Sequence, residues 1–125
     1  MPEKKPKIIL VEDDPFICEM YALKFKSFCQ FLVAKDGVEG LEMIRQEKPD
    51  LVLLDIILPR LDGFEVLKEM KKDLSLKHIP VLLLTNLGQK KNVKEGLRLG
   101  ALDYIIKAHY TPSEVVEKVK AVLSR

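Results

Sequence analysis

The chain has 125 residues, of which 21 are basic and 19 acidic, for a formal charge of +2, and 47% of it is hydrophobic. That length holds one domain, able to bury roughly two thirds of its unfolded surface around a single core, with no room for a second. The balanced charge argues against nucleic acid or an anionic membrane as the direct partner, Met1–Lys7 lacks the apolar segment of a signal peptide, and no apolar run reaches membrane-spanning length, so a cytoplasmic protein is expected.

Lys7–Val11 reads as a first strand, an apolar run that stops on Glu12, Asp13 and Asp14. Asp14 is placed to cap a helix with Pro15 at its first position, and Ile17, Tyr21, Phe25 and Phe28 give that helix one apolar face. Cys18 and Cys29 fall on the same predicted helix, about 16 Å apart along its axis. No disulfide closes that gap, and neither has a histidine at metal-ligand spacing, so both are expected to be buried structural thiols. Phe31–Ala34 is a second strand, and Gly37–Gln46 a second helix with Val38, Leu41 and Ile44 inward, broken by Pro49. Leu51–Leu54 form a third strand that runs into Asp55. Pro59 and Gly63 bracket a loop; Phe64, Leu67 and Met70 mark a third helix that His78 and Pro80 end; Val81–Leu84 form a fourth strand reaching Thr85.

The fourth helix, Gln89–Leu99, has only Val93, Leu97 and Leu99 as apolar anchors and holds Gly96 inside, which predicts the least stable and most mobile helix. Its stripe of Lys90, Lys91, Lys94 and Arg98 reads as a solvated face, open to an acidic partner. Leu102–Ile106 is a fifth strand ending on Lys107, and Pro112 opens a last helix with Val115, Val119 and Val122 inward. His78 and His109 read as surface residues.

Five alternations of strand and helix predict an α/β fold: a doubly wound five-stranded parallel sheet of order 2-1-3-4-5 with five helices. That order sets the first and third strands side by side, so Asp13 and Asp55 converge at the carboxyl edge, joined by Glu12, by Thr85 from the fourth strand and by Lys107 from the fifth. Ionised carboxylates crowded in a desolvated place cost several kcal/mol unless a cation, shifted pKa values or water offset them. The set reads as a phosphoryl site without a glycine-rich cradle. The acids hold a hard divalent ion, Lys107 neutralises phosphoryl oxygens, Thr85 donates a hydrogen bond, and Asp55 is the nucleophile.

At these residues the chain closely resembles the receiver domain of bacterial two-component response regulators, the CheY-like superfamily. The resemblance runs from Val11-Glu12-Asp13-Asp14, through Leu54-Asp55-Ile56-Ile57-Leu58-Pro59 and Asp62-Gly63, to Leu84-Thr85 and Asp103-Tyr104-Ile105-Ile106-Lys107. It implies a flavodoxin-like receiver fold over 1–125, with an ordered core of about 7–124, and Asp55 as the phosphoacceptor. It also implies Mg²⁺ held by Asp13, Asp55 and the Ile57 carbonyl beside Glu12, phosphoryl contacts from Thr85 and Lys107, and Tyr104 as the aromatic switch. The implied partners are a sensor histidine kinase or a histidine phosphotransfer protein, and a downstream protein target met through the fourth helix, fifth strand and fifth helix, a face also compatible with a homodimer. Beyond its own phosphorylation and dephosphorylation such a module is not an enzyme. The start at Met1 favours a free-standing receiver.

Two positions depart from the family pattern. Ala108, followed by His109 and Tyr110, stands where a proline usually follows the lysine, and a trans bond is expected there; Asn86 replaces a commonly small residue after Thr85. Ile57 and Leu87, two residues past Asp55 and Thr85, are apolar and position no water, so slow hydrolysis of the acyl phosphate is expected. Three rival classes compete with this reading. An aspartyl-phosphoenzyme phosphatase wants a second acid where Ile57 stands. A flavodoxin-like cofactor binder needs a phosphate loop, and Glu12-Asp13-Asp14-Pro15 repels phosphate. A non-phosphorylated pseudo-receiver would keep only the interaction surface.

Overall fold

A computed structural model describes residues 5–86 and 90–125. In chain order the elements are β1 (Lys7–Val11), α1 (Pro15–Phe25), β2 (Gln30–Ala34), α2 (Gly37–Glu47), β3 (Leu51–Asp55), α3 (Gly63–Lys72), β4 (Val81–Thr85), α4 (Lys90–Arg98), β5 (Asp103–Ile106) and α5 (Pro112–Leu123), with one turn of 3-10 helix at Lys107–His109. The sheet is parallel throughout with order β2-β1-β3-β4-β5, as expected from the alternation.

Between their ends the inner strands are continuously apolar because both faces are covered, yet the period of two still sorts them. Ile9, Val11, Val52, Leu54, Val81 and Leu83 pack under α2, α3 and the β4 side of α4, with Ile44, Leu67 and Met70. Ile8, Leu10, Leu51, Leu53, Leu82 and Leu84 face the other way, onto Tyr21 and Phe25 of α1 and Val115 and Val119 of α5. Phe25 anchors that second layer, stacked on Phe31 at 4.8 Å between centroids and tilted against Phe28 at 5.6 Å.

Several boundaries differ from the sequence reading. α1 stops at Phe25 with Lys26 as its C-cap, so Phe28 and Cys29 lie in the following turn and the two cysteines do not share a helix. The apolar spacing of Phe25 and Phe28 continues through that turn because both rings serve the same layer, and periodicity alone does not separate the two cases. Both thiols are buried, Cys18 donating to the Glu12 carbonyl and Cys29 to that of Phe25, and burial pushes each up to about 11. α3 ends at Lys72, well before His78 and Pro80: the Asp73 carboxylate accepts from the backbone N–H and hydroxyl of Ser75, which turns the chain, and Leu76 and Ile79 are buried beyond it. In α4, Leu97 is exposed rather than an anchor, and Gly96 is the buried residue. A Cβ there would collide with Leu83, so the missing side chain is what lets the helix sit on β4. Gln89 lies outside the described residues. His78 and His109 are exposed.

Side-chain caps place the helix starts. Asp14 accepts from the N–H groups of Phe16 and Ile17, as expected, and three further caps went unread: Asp36 on α2, and the reciprocal boxes Asp62/Glu65 on α3 and Thr111/Glu114 on α5. The bond from the Glu39 N–H, aided by Arg60 at 3.3 Å, holds the Asp36 carboxyl below its ordinary value. A depressed folded pKa contributes stability that is present above the unfolded value of 3.8 and is lost as pH falls through the folded one. Asp36→Asn keeps a capping oxygen without the charge, and its urea midpoint is expected to lose less than the parent's as pH is lowered from 4 toward the folded pKa; parallel curves would refute the assignment.

Candidate functional site

Every residue singled out for chemistry lies at the carboxyl edge of the sheet. Glu12 and Asp13 follow β1, Asp55 closes β3, Thr85 closes β4 and Lys107 follows β5. The registers Val11↔Leu54 and Asp55↔Leu84 bring the acids of β1 and β3 level and set Thr85 one residue beyond the partner of Asp55. One carboxylate oxygen from each of Glu12, Asp13 and Asp55 falls within 4.8 Å of the others. Glu12 is 1% exposed and Asp55 6%, while Asp13 faces solvent.

Lys107 spans this cluster, its Nζ 2.7 Å from Glu12 Oε1 and 2.9 Å from Asp55 Oδ2. All peptide bonds among the described residues are trans, and the 3-10 turn at Lys107–His109 carries the chain away without a proline, so Ala108 does not shorten the lysine's reach. Glu12 Oε1 is shielded from water and meets the ammonium as a charge contact rather than an aligned hydrogen bond. Burial pushes the Glu12 carboxyl up, the Asp55 charge adds to it, and Lys107 and the Asp14 N–H oppose it. For Lys107, burial favours the neutral amine, but its contacts with Glu12 and Asp55 outweigh that and hold the ammonium above its ordinary value.

Backbone groups fix the remaining geometry. The Glu12 N–H donates to the Ala34 carbonyl at 2.9 Å, and the Ile57 N–H donates to Asp55 Oδ1 at 3.2 Å. With Lys107 on Oδ2, both oxygens of Asp55 are oriented. Thr85 is 1% exposed and its hydroxyl donates to the Asn86 carbonyl at 3.3 Å. Tyr104 pairs with Leu83 and lies half-buried against the layer under α2–α4. Asp14, the third acid of the β1 tip, caps α1 and lies outside the cluster. Leu87 falls outside the described residues, so only Ile57, 57% exposed beside Asp55, represents the expected apolar surround.

Three carboxylates against one ammonium leave a surplus of negative charge, and the donor set is all hard oxygen. Oxygens around a six-coordinate Mg²⁺ lie roughly 2.9 to 4.2 Å apart, so a cluster whose oxygens fall within 4.8 Å of one another would close by a small side-chain movement to hold such an ion. The sequence reading left Tyr21 as core and Gly63 as loop punctuation. Tyr21 borders this site from α1, and a Cβ on Gly63 would strike the Asp55 carbonyl oxygen. A tyrosine at an apolar helix position carries no signal of that kind; the Asp62-x-x-Glu65 spacing would have found the helix start at Gly63.

A family model described as "Response regulator receiver domain" matches residues 8–120. The alkaline phosphatase synthesis transcriptional regulatory protein PhoP of Bacillus subtilis is 40% identical over 121 residues, which span 95% of this chain and 49% of that protein. The chain thus covers about half the length of the curated relatives it matches, among them a probable transcriptional regulator ycf27 of Guillardia theta at 39% identity over 98% of this chain and 47% of that one. Among solved structures, a response regulator from Chloroflexus aurantiacus superposes with a TM-score of 0.90 at 32% identity, covering 98% of this chain and 100% of that one. The Mn²⁺-bound form of response regulator Rcp1 gives 0.81 at 28% identity over 93% and 92%.

Proposed function

The chain belongs to the response regulator receiver domain family, and from that premise we propose that it is a phosphorylation-driven switch whose Asp55 takes a phosphoryl group from the phosphohistidine of a sensor histidine kinase or histidine phosphotransfer protein. It is a signalling module, not an enzyme that turns over a substrate. The observation that carries the reading is the acidic cluster of Glu12, Asp13 and Asp55, with a single ammonium spanning two of its members.

Asp13, Asp55 and the Ile57 carbonyl, with Glu12 alongside, would hold Mg²⁺. When bound, that ion screens the repulsion between the acids and an incoming phosphoryl group. An Asp55 oxygen, oriented by Lys107 and the Ile57 N–H, forms the new bond to phosphorus as the donor's P–N bond breaks, giving an acyl phosphate. Lys107 then transfers its contact from carboxylate to phosphoryl oxygen, and the Thr85 hydroxyl is drawn to the same group. Tyr104, already half-buried, turns further inward, and the surface of α4, β5 and α5 is biased toward a state that binds a downstream protein or a second copy. We read residues 1–125 as one receiver domain acting in the cytoplasm. No helix among the described residues is long and apolar enough to cross a membrane.

Incubation with Mg²⁺ and phosphoramidate tests this: the intact mass is expected to rise by one phosphoryl group. No rise, in a folded protein, would favour an interaction module that is never phosphorylated. The exposed, apolar Ile57 also predicts a phosphorylated form that lasts minutes rather than seconds, and Ile57→Asn, which can hold a water by its amide, is expected to shorten that life several-fold. Decay within seconds in the unaltered protein would contradict this.

A further inference from the structure

Loop 56–62 joins Asp55 at the end of β3 to Gly63 at the start of α3, and it contains an uncommon turn. The Leu61 N–H donates to the Pro59 carbonyl at 2.8 Å, closing a turn of three residues whose central member, Arg60, has a φ of 69°. Three-residue turns with a positive φ at the centre are rare and strained, and a side chain at that position adds to the cost. Such a conformation persists only where its surroundings over-determine it.

The surroundings here are the start of α2. The Pro59 carbonyl accepts a second bond, from the Gly37 N–H at 3.2 Å, and a Cβ on Gly37 would strike the Leu61 carbonyl oxygen, so the loop lies directly against that helix end. A side-chain link runs beside these backbone bonds. Arg60 Nη1 is 3.3 Å from Asp36 Oδ2, while Asp36 Oδ1 caps α2 by accepting from the Glu39 N–H at 2.8 Å. One carboxylate therefore fixes a helix start with one oxygen and the strained residue with the other. Ile57 lies between this turn and Asp55, where its own N–H donates to Asp55 Oδ1.

Resting on the reading of Asp55 and its divalent ion above, we propose that Arg60 is a positioning residue: its pair with Asp36 holds the 59–61 turn closed, and the closed turn keeps the Ile57 carbonyl in place as a ligand for Mg²⁺. Arg60 acts through the backbone of the loop and not on the ion. Its charge works the other way. Arg60 stands in the loop that leaves Asp55, so removing its guanidinium would by electrostatics alone favour a cation in the acidic cluster. The sign of the effect on Mg²⁺ binding thus separates positioning from charge.

The test titrates the full chain with Mg²⁺, without a phosphodonor, and follows amide NMR shifts in two variants that remove the same charge. Arg60→Ala keeps a side chain in the strained turn but loses its anchor, and the dissociation constant is expected to rise about threefold, the scale of an exposed ion pair. Arg60→Gly also loses the anchor but does not need it, because glycine takes a positive φ freely, and its constant is expected to stay at the parent's value or below. The Arg60 side chain is 62% exposed, so neither change enters the core, and the same spectra show that both variants are folded. Equal constants for the two variants, or tighter binding by Arg60→Ala than by the parent, overturn the positioning role while leaving Asp55 and its ion in place. No saturable Mg²⁺ binding by the unaltered chain overturns the metal reading and this one with it.

Discussion

Asp55→Asn is expected to take up no phosphoryl group under conditions that label the parent chain fully, and to be harder to unfold. The amide nearly matches the carboxylate in shape and keeps one oxygen for the Ile57 N–H, but it loses the second oxygen that meets Lys107 and has no charged oxygen to attack phosphorus. Phosphorylation is lost at the chemical step, not through misfolding. The stability gain follows from the same cluster. Asp55 is one of three carboxylates facing one ammonium, and its charge helps push the Glu12 carboxyl up. Removing it leaves Lys107 to Glu12 alone and relieves a repulsion on the order of 1 kcal/mol. Urea titration in a chelator reads this as a higher midpoint with an unchanged slope. Undiminished labelling of the variant would place the phosphate on another residue, and a lower midpoint would show that the Lys107–Asp55 pair outweighs the crowding.

Gly63→Ala is expected to have a large structural effect at the site. Gly63 opens α3 immediately after the Asp62 cap, and its N–H donates to the Ile56 carbonyl at 2.8 Å. A Cβ there would strike the Asp55 carbonyl oxygen and lie 2.8 Å from Ile56 Cα. These are backbone atoms at the end of a fully buried strand, not the tip of a flexible side chain, so they yield only by moving β3 or by lifting α3 off the sheet. Overpacking against such a wall costs about 3 kcal/mol. The urea midpoint is expected to fall accordingly, and the surviving folded fraction to phosphorylate more slowly because the Asp55 carboxylate is displaced. A variant as stable as the parent would show that the α3 start shifts without strain.

The two halves of the site were legible to different degrees. Glu12, Asp13 and Asp55 stood out because charged residues at the ends of buried apolar runs are costly wherever they fall, and the fixed hand of strand–helix–strand crossovers leaves few ways to arrange five such units. Asp14 was separable as a cap by Pro15 beside it. By contrast, the helix ends after Phe25 and Lys72 went unread because apolar spacing continues through turns that still bury Phe28, Leu76 and Ile79. Leu97 and Gly96 exchanged roles in α4 for a related reason: close approach to Leu83 rewards the residue with no side chain, and no sequence period reports a distance between elements.

The amino-acid order alone determined the fold class, the strand order and the set of chemical groups at one edge, since patterning, capping and crossover handedness are local or nearly local rules. Tertiary structure decided which of those groups touch. That Lys107 reaches both Glu12 and Asp55, that Gly63 must lack a side chain beside Asp55, and that Tyr21 lines the same cavity as Lys107 depend on how elements far apart in the chain pack, and contacts of that kind are set by the summed shape of the core rather than by any segment of sequence.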